Sequence, residues 1–151
     1  MIQKKSIITR VWRARAFFVV AFFVVAFSMM TFPAMAAEKI TPDQSLTYKE
    51  VSGVELKLHV FKPEGHQASD KRPAIVFFFG GGWSGGTPKQ FYQQSRFLAD
   101  QGMVAFAAEY RVRSVHKTSP YECVKDGKSA IRWLRQHAAK LGVDPERIVS
   151  S

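Results

Sequence analysis

The spacing of hydrophobic and polar positions predicts two antiparallel strands near the start of the folded region. Every second residue from Val54 to Val60 is apolar, and the residues between them are polar, which is typical of a half-buried strand. The stretch 46–51 is also strand-like. Ser52-Gly53 lies between the two and supplies a turn, so residues 46–61 are predicted to form an antiparallel hairpin.

A different pattern follows, in which the strands are apolar throughout. Residues 73–79 and 103–109 are continuous hydrophobic runs bounded by turn signals. Runs of this length favour strands that are covered on both faces, as in a parallel sheet. Arg147 to Ser151 begins another strand, after a turn at Asp144-Pro145-Glu146.

Two segments carry signals for the start of a helix. Thr87-Pro88-Lys89-Gln90 and Ser119-Pro120-Tyr121-Glu122 each combine a hydroxyl residue, a proline at the first helical position and a Gln or Glu at the third. Both are predicted to be capping boxes. The first helix should run to about Gln101, where Gly102 ends it, and the second to Lys140 and Gly142.

The second helix has one apolar stripe, because hydrophobic residues recur in it at steps of three and four. Gly127 inside the stripe predicts a close approach to the sheet. The stripe consists of Val124, Gly127, Ile131, Leu134, Ala138 and Leu141.

The order of elements is hairpin, strand, helix, strand, helix, strand. Strands that alternate with helices predict an α/β fold with a parallel, doubly covered sheet. The given sequence stops inside the last strand, so we expect an incomplete sheet, the N-terminal half of a larger fold. The predicted organisation is a signal peptide at 1–36, a polar leader at 37–45 and a partial α/β domain at 46–151.

The first 36 residues have the pattern of a secretory signal. Five basic residues precede an uninterrupted apolar stretch of twelve residues, from Ala16 to Phe27, and Ala34-Met35-Ala36 provides a small-x-small cleavage site. An uncleaved anchor would want about 20 apolar residues. We therefore expect cleavage near Ala36, export to the periplasm or the extracellular space, and no stable membrane anchor afterwards.

The net charge of +10 changes little in this interpretation. The residues after Ala36 hold 17 basic and 12 acidic side chains, which are spread without runs. Nucleic-acid binders concentrate basic charge in a stripe or cluster, so we expect no nucleic-acid partner.

Cysteine and histidine usage points to neither a disulfide nor a metal. Cys123 is the only cysteine, so no intramolecular disulfide is possible, and its context predicts a buried small hydrophobe. No Cys/His spacing typical of zinc is present. The four histidines are expected to be surface or loop residues rather than ligands; they are His59, His66, His116 and His137.

The segment Phe79-Gly80-Gly81-Gly82-Trp83-Ser84-Gly85-Gly86-Thr87, here called the glycine loop, connects a buried strand to a helix. A phosphate-binding loop is disfavoured, because there is no Gly-Lys-Ser/Thr ending. Gly82 to Gly86 formally matches the G-x-S-x-G nucleophile elbow with Ser84 as nucleophile, but the helix does not begin directly after that serine. An oxyanion hole is the third interpretation, since glycine lets backbone N–H groups approach a substrate closely. A flexible connection is the fourth.

The sequence resembles the α/β-hydrolase superfamily, specifically secreted carboxylesterases and hormone-sensitive-lipase-like esterases. Those proteins carry H-G-G-G-W or H-G-G-G-F after an early strand, where this chain has Phe79-Gly80-Gly81-Gly82-Trp83. The resemblance covers about residues 46–151. The other matching features are Glu109-Tyr110-Arg111 at a strand end, Asp126 with Ala130 to Arg135 in the helix before the nucleophile strand, and Asp144-Pro145-Glu146-Arg147-Ile148 as its lead-in.

The resemblance implies roles for the residues of the glycine loop. Gly81 and Gly82 would supply oxyanion N–H groups, Gly80 would shape the turn, and Trp83 would pack beside the acyl pocket or serve as a buried structural residue. Phe79 stands where the family has a histidine whose side chain braces the loop, so bracing has to come from elsewhere. Glu109 and Arg111 are expected to hold the strand end rather than touch substrate.

The resemblance also implies an activity. We expect a carboxylic ester hydrolase that acts through a Ser-His-Asp/Glu triad lying beyond Ser151, so that the segment itself is inactive and contains no catalytic triad residue. No metal or organic cofactor is implied. The substrate would be a small-molecule or carbohydrate-linked ester, with sugar acetates, feruloyl esters and short-chain lipid esters all open. The alternative is a truncated, non-catalytic α/β-hydrolase-like binding protein.

Overall fold

The computed structural model describes residues 39–151, which form one compact unit. The signal peptide predicted at 1–36 lies outside the described residues. The strands are β1 (Gln44–Val51), β2 (Val54–Phe61), β3 (Arg72–Phe78), β4 (Val104–Ala108) and β5 (Val143–Ser150). The α-helices are α1 (Tyr92–Asp100), α2 (Arg113–His116) and α3 (Pro120–His137), and 3₁₀ turns lie at Pro88–Phe91 and Ala138–Leu141.

The five strands form one mixed sheet in the order β1-β2-β4-β3-β5. β1 and β2 pair antiparallel, as the alternation predicted, and both turn residues, Ser52 and Gly53, have positive φ (52° and 74°). Two positive φ values are the geometry of a type I′ turn, whose twist matches that of the flanking strands. β2 is antiparallel to β4, whereas β3 is parallel to both β4 and β5.

The continuous apolar strands are covered on both faces, as predicted. All five residues of β4 are buried, and their side chains alternate between two clusters. Val104 and Phe106 belong to the cluster that includes Leu134 of α3. Ala105 and Ala107 belong to the cluster that includes Ala99 of α1. The α/β architecture predicted from the order of elements is therefore confirmed.

The predicted capping box at Ser119 is formed, since Glu122 accepts a hydrogen bond from the Ser119 N–H at 2.9 Å. The one predicted at Thr87 is wrong. A 3₁₀ turn precedes α1, and the Thr87 side chain makes no capping hydrogen bond. The side chain of Gln90 contacts the glycine loop instead of the helix start.

The face that α3 turns to the sheet is displaced from the predicted stripe. Val124 is 46% exposed, whereas the buried residues of the helix are Cys123, Asp126, Ala130 and Leu134. Gly127 does approach the sheet closely, because a β-carbon there would lie 3.4 Å from the ring of Phe78.

The turn predicted at 144–146 lies within the pairing of β5 with β3. The register jumps from Arg72↔Val143 to Ala74↔Ile148, which leaves residues 144–147 outside the ladder. Asp144 accepts hydrogen bonds from the Glu146 N–H and from Arg147 Nε, at 3.0 and 2.8 Å. Within residues 39–151, no helix combines the length and the hydropathy needed to cross a membrane.

Candidate active site

The glycine loop lies at the carboxyl edge of the parallel part of the sheet. It follows β3 directly, and residues 109–112 follow the neighbouring strand β4 at the same edge. Ligands of open α/β sheets bind in the crevice outside the carboxyl ends of the strands. The position of the loop is therefore that of a ligand site.

Two glycines of the loop have backbones that another residue would disrupt. Gly81 has φ +138°, and a β-carbon on it would lie 2.1 Å from the carbonyl oxygen of Gly85. Gly86 has φ +115°, and a β-carbon on it would lie 2.5 Å both from the carbonyl oxygen of Gly80 and from the ring of Phe79. The loop folds back on itself so closely that only glycine fits at these two positions.

The hydrogen bonds of the loop leave three successive N–H groups free, those of Gly81, Gly82 and Trp83. The Gly80 N–H donates to Gln90 Oε1 at 2.9 Å, and the Ser84 N–H donates to the Gly81 carbonyl at 3.0 Å. Among the described residues, the N–H groups of Gly81 and Gly82 donate to no protein acceptor. Free, adjacent backbone donors in a tight turn are what an oxyanion hole requires.

The far side of the loop is anchored to the segment that follows β4. The Arg113 N–H donates to the Trp83 carbonyl and the Ser114 N–H to the Ser84 carbonyl, both at 2.9 Å. These two donors are the first residues of α2, a helix that the sequence did not predict, so the start of α2 holds the glycine loop.

Phe79 is buried and stacks on Tyr110. Their ring centroids are 4.1 Å apart and the rings are inclined by 15°. The Tyr110 hydroxyl also donates to the Phe79 carbonyl at 2.5 Å. Burial raises the pKa of this hydroxyl, so Tyr110 remains a neutral donor at physiological pH.

Trp83 has φ +60° and is 50% exposed, so it is not a buried structural residue. It lines a cleft of about 230 Å³ together with apolar neighbours. A place beside an acyl pocket remains a prediction. The other residues lining the cleft are Phe78, Phe79, Tyr110, Cys123 and Val124.

Ser84, the serine of the formal elbow motif, is exposed. Its hydroxyl contacts only the carbonyl of Gly82, at 3.4 Å, and no histidine or carboxylate among the described residues lies within hydrogen-bond distance of it. Gly81, Gly82 and Trp83 have positive φ in this turn, but Ser84 does not. Within residues 39–151, Ser84 therefore has neither the strained backbone of an elbow nor an activating base.

A larger cleft, of about 370 Å³, adjoins the glycine loop. Glu109 lies in it and accepts hydrogen bonds from His59 Nε2 and from the Lys57 N–H, both at 3.0 Å. Burial raises the pKa of Glu109, but these hydrogen bonds outweigh it and leave the pKa below its ordinary value. The rest of the lining includes Phe79, Gly86, Thr87, Tyr92 and Tyr110.

Two residues of the cleft, His59 and Glu109, are linked by hydrogen bonds to a serine outside its lining, Ser45. Ser45 Oγ is 3.0 Å from His59 Nδ1, and the other ring nitrogen binds Glu109. Ser45 lies within β1, opposite His59 in the ladder, rather than on a sharp turn beside free N–H groups. We assign these hydrogen bonds among Ser45, His59 and Glu109 to stabilisation of the paired strands. Sequence reasoning missed them, because residues 45, 59 and 109 meet only through strand pairing.

Arg111 and Asp126 form a buried ion pair behind the cleft, which supports the expectation that Arg111 holds the strand end. Asp126 is fully buried. Its carboxylate accepts hydrogen bonds from Arg111 Nε at 2.7 Å, from Arg111 Nη2 at 2.9 Å and from Lys49 Nζ at 2.7 Å. Burial by itself raises the pKa of Asp126. The hydrogen bonds from Arg111 and Lys49 lower the pKa by more than burial raises it, so the pKa lies below its ordinary value.

Cys123 is buried, as predicted, and its thiol contacts the Arg111 carbonyl at 2.9 Å. Burial raises the pKa of this thiol, which favours the protonated form over the nucleophilic thiolate. His66 lies in a loop, as expected, although its side chain is only 5% exposed and donates to the Leu141 carbonyl at 2.8 Å. Within residues 39–151, no group of three metal-ligating side chains could hold an ion.

The family model described as BD-FAE matches residues 58–151. The matched region includes the glycine loop, Glu109 of the larger cleft and the Asp126–Arg111 pair. The chain belongs to the BD-FAE family.

Solved structures similar to this BD-FAE chain are esterases. Apo esterase 2 of Thermogutta terrifontis matches with a TM-score of 0.72 and 53% identity, over 74% of this chain and 42% of that one. The propionate-bound form matches with a TM-score of 0.70 and 55% identity, over 71% of this chain and 39% of that one. The described residues therefore form an incomplete α/β-hydrolase fold, as expected.

Curated relatives of this BD-FAE chain are similar over shorter stretches. Carboxylesterase NlhH of Mycobacterium tuberculosis is 33% identical over 52% of this chain and 24% of its own length. Secreted triacylglycerol lipase LIP1 of Gibberella zeae is 29% identical over 62% of this chain and 18% of its own length. The chain thus spans about a quarter or less of these relatives and about two fifths of the solved esterases.

Proposed function

We propose that the protein is a carboxylic ester hydrolase and that this chain supplies its oxyanion-binding part. The observation that carries the proposal is the pair of successive free N–H groups at Gly81 and Gly82, in a tight turn at the carboxyl edge of β3. The esterases and lipases to which the chain is similar support this activity.

The reaction would be acyl transfer. A serine hydroxyl, deprotonated by a histidine, attacks the ester carbonyl, and the resulting oxyanion accepts hydrogen bonds from the Gly81 and Gly82 N–H groups. When the tetrahedral intermediate collapses, the alcohol leaves with the proton from the histidine. Water then hydrolyses the acyl-enzyme by the same steps. Loss of one oxyanion donor costs about 10²–10³ in rate.

The nucleophile, its histidine and its acid are proposed to follow Ser151 in the protein. In residues 39–151, Ser84 has no base within hydrogen-bond distance, and Ser45 has a histidine but lies within β1 rather than on a sharp turn. The described segment alone is accordingly proposed to be inactive.

Replacement of Gly82 by proline tests the oxyanion assignment in the native gene product. Proline removes the N–H, and its fixed φ near −65° conflicts with the observed +57°. Turnover of p-nitrophenyl acetate should fall about 10²–10³-fold. Gly82→Ala keeps the N–H and meets no atom within 4 Å, so it is the matched control. Unchanged turnover in Gly82→Pro would refute the assignment.

A non-catalytic binding protein is the second candidate. One relative, the inactive carboxylesterase-like protein VdtD of Byssochlamys spectabilis, is 28% identical over 62% of this chain. This candidate predicts that the native gene product binds ester ligands but neither hydrolyses them nor reacts with a fluorophosphonate. Labelling of any serine by that probe would rule it out.

We also propose that the protein is exported and acts on small-molecule or carbohydrate-linked esters. The basic, apolar and small-x-small segments of residues 1–36 support export. Sequencing the N-terminus of the mature protein should give Ala37. An N-terminus at Met1 in membrane-bound protein would indicate an uncleaved anchor instead.

A further inference from the structure

We propose that Gln90 is a positioning residue that, together with Tyr110, braces the glycine loop. The proposal rests on the proposed ester hydrolysis, because its effect is exerted through the oxyanion N–H groups. It concerns a single peptide unit, the one between Phe79 and Gly80.

This peptide unit is held from both sides. Its carbonyl oxygen, on Phe79, accepts from the Tyr110 hydroxyl at 2.5 Å, and its N–H, on Gly80, donates to Gln90 Oε1 at 2.9 Å. A trans peptide is planar, and its C=O and N–H point in opposite directions. Two hydrogen bonds on opposite sides therefore prevent the plane from rotating about the chain axis.

The orientation of this plane bears directly on where the Gly81 N–H points, because that group lies in the next peptide. Gly81 has a positive φ, and glycine changes between positive and negative φ at little cost. Its N–H has no protein acceptor in residues 39–151 that would hold it. The Gly82 N–H is held separately, since it shares a peptide with the Gly81 carbonyl, which accepts from the Ser84 N–H at 3.0 Å. The clamp on the preceding peptide therefore aims the first donor of the oxyanion hole.

Both anchors of the clamp are themselves fixed. Tyr110 stacks on Phe79 and precedes Arg111, which the buried pair with Asp126 holds in place. Gln90 lies in the 3₁₀ turn before α1, and its own N–H donates to the Thr87 carbonyl at 3.2 Å. The Thr87 side chain does not cap this turn, so Gln90 is free to reach the glycine loop.

Two variants of Gln90 in the native gene product separate positioning from packing. Gln90→Leu keeps the size of the side chain but removes the acceptor, and Gln90→Glu keeps an acceptor oxygen. We expect Gln90→Leu to lower kcat about tenfold with KM changed less than twofold, because the donors act in the transition state. Gln90→Glu should retain more activity than Gln90→Leu. Gln94→Leu, in the exposed part of α1, is the matched control and should be unchanged.

Tyr110→Phe tests the other half of the clamp, since it keeps the ring stack and removes only the hydroxyl. It should also lower kcat more than it changes KM. Wild-type kcat in Gln90→Leu, or an equal loss in Gln90→Leu and Gln90→Glu, would overturn the assignment of Gln90.

Hydrogen exchange of the Gly80 amide distinguishes failure of this proposal from failure of the proposed function. The amide should exchange slowly in the native gene product and at least tenfold faster in Gln90→Leu, whether or not any ester is hydrolysed. Absence of hydrolysis with this exchange difference would refute the enzyme but retain the clamp. Equally fast exchange in both proteins would refute the clamp.

Discussion

Alanine at Gly81 and alanine at Gly82 should have very different effects, although the two residues are adjacent and both keep their N–H groups. A β-carbon on Gly81 would lie 2.1 Å from the Gly85 carbonyl oxygen, whereas a β-carbon on Gly82 meets no atom within 4 Å. The first substitution must displace the loop. The second adds only backbone strain.

The distance by which Gly81→Ala must displace the loop determines the expected loss of catalytic rate. A carbon and a carbonyl oxygen approach each other to about 3.3 Å, so the contact at Gly81 has to open by roughly 1 Å. A misplacement of about 1 Å in a catalytic group costs about 10²-fold in rate, or about 2.7 kcal/mol of activation free energy. For Gly82→Ala, the left-handed conformation costs about 1–2 kcal/mol of stability, and we expect turnover to fall less than tenfold.

The assay is steady-state hydrolysis of p-nitrophenyl acetate by the native gene product and its variants, with thermal unfolding measured in parallel. Gly65→Ala is a matched control, because Gly65 has φ +66° with no atom within 4 Å of a β-carbon and lies away from the glycine loop. Gly81→Ala that keeps more than a third of wild-type kcat would refute the steric reasoning. So would equal losses in Gly81→Ala and Gly82→Ala.

Four further predictions concern Asp126, Gly142 and Ser84. Asp126→Asn should lower the free energy of unfolding by about 3–5 kcal/mol in urea titrations, since it leaves Arg111 buried without a counter-charge. Because the pKa of Asp126 is lowered in the folded state, its contribution to stability should be full above about pH 4 and be lost as the pH falls below that value. Gly142→Ala should cost about 2–4 kcal/mol by the same titration, because φ is +63° and a β-carbon would lie 2.6 Å from the His66 ring. Ser84→Ala should leave fluorophosphonate labelling and turnover unchanged, and loss of labelling would restore Ser84 as the nucleophile.

Several predictions that rested on local patterns were confirmed. The alternation from Val54 to Val60 gave a strand with one buried face, because a two-residue period is a property of the strand itself. The box at Ser119 formed because its hydrogen-bond partners are three residues apart and need no tertiary contact. Glycine at 142 ended the helical region with φ +63°, as its C-terminal position predicted.

Predictions that depended on competing tertiary contacts were wrong. Thr87 and Gln90 have the spacing of a capping box, but the Gly80 N–H competes for Gln90 and is the partner it binds. Val124 continues an apolar stripe by spacing, yet α3 turns Cys123 and Asp126 toward the sheet. The pairing of Asp126 with Arg111 and Lys49 selects this face, and no periodicity in the helix encodes it.

By itself, the sequence determined the class of fold, the order of the strands along the chain and the segment that forms the glycine loop, because hydrophobic period, turn residues and runs of glycine act over a few neighbouring residues. Only the tertiary structure decided which N–H groups of that loop remain free and what braces them. The Phe79–Gly80 peptide lies between Tyr110, which follows β4, and Gln90, which lies in the 3₁₀ turn before α1. Hydrogen bonds between distant segments depend on strand order and register in space, and these are set by how the whole sheet packs.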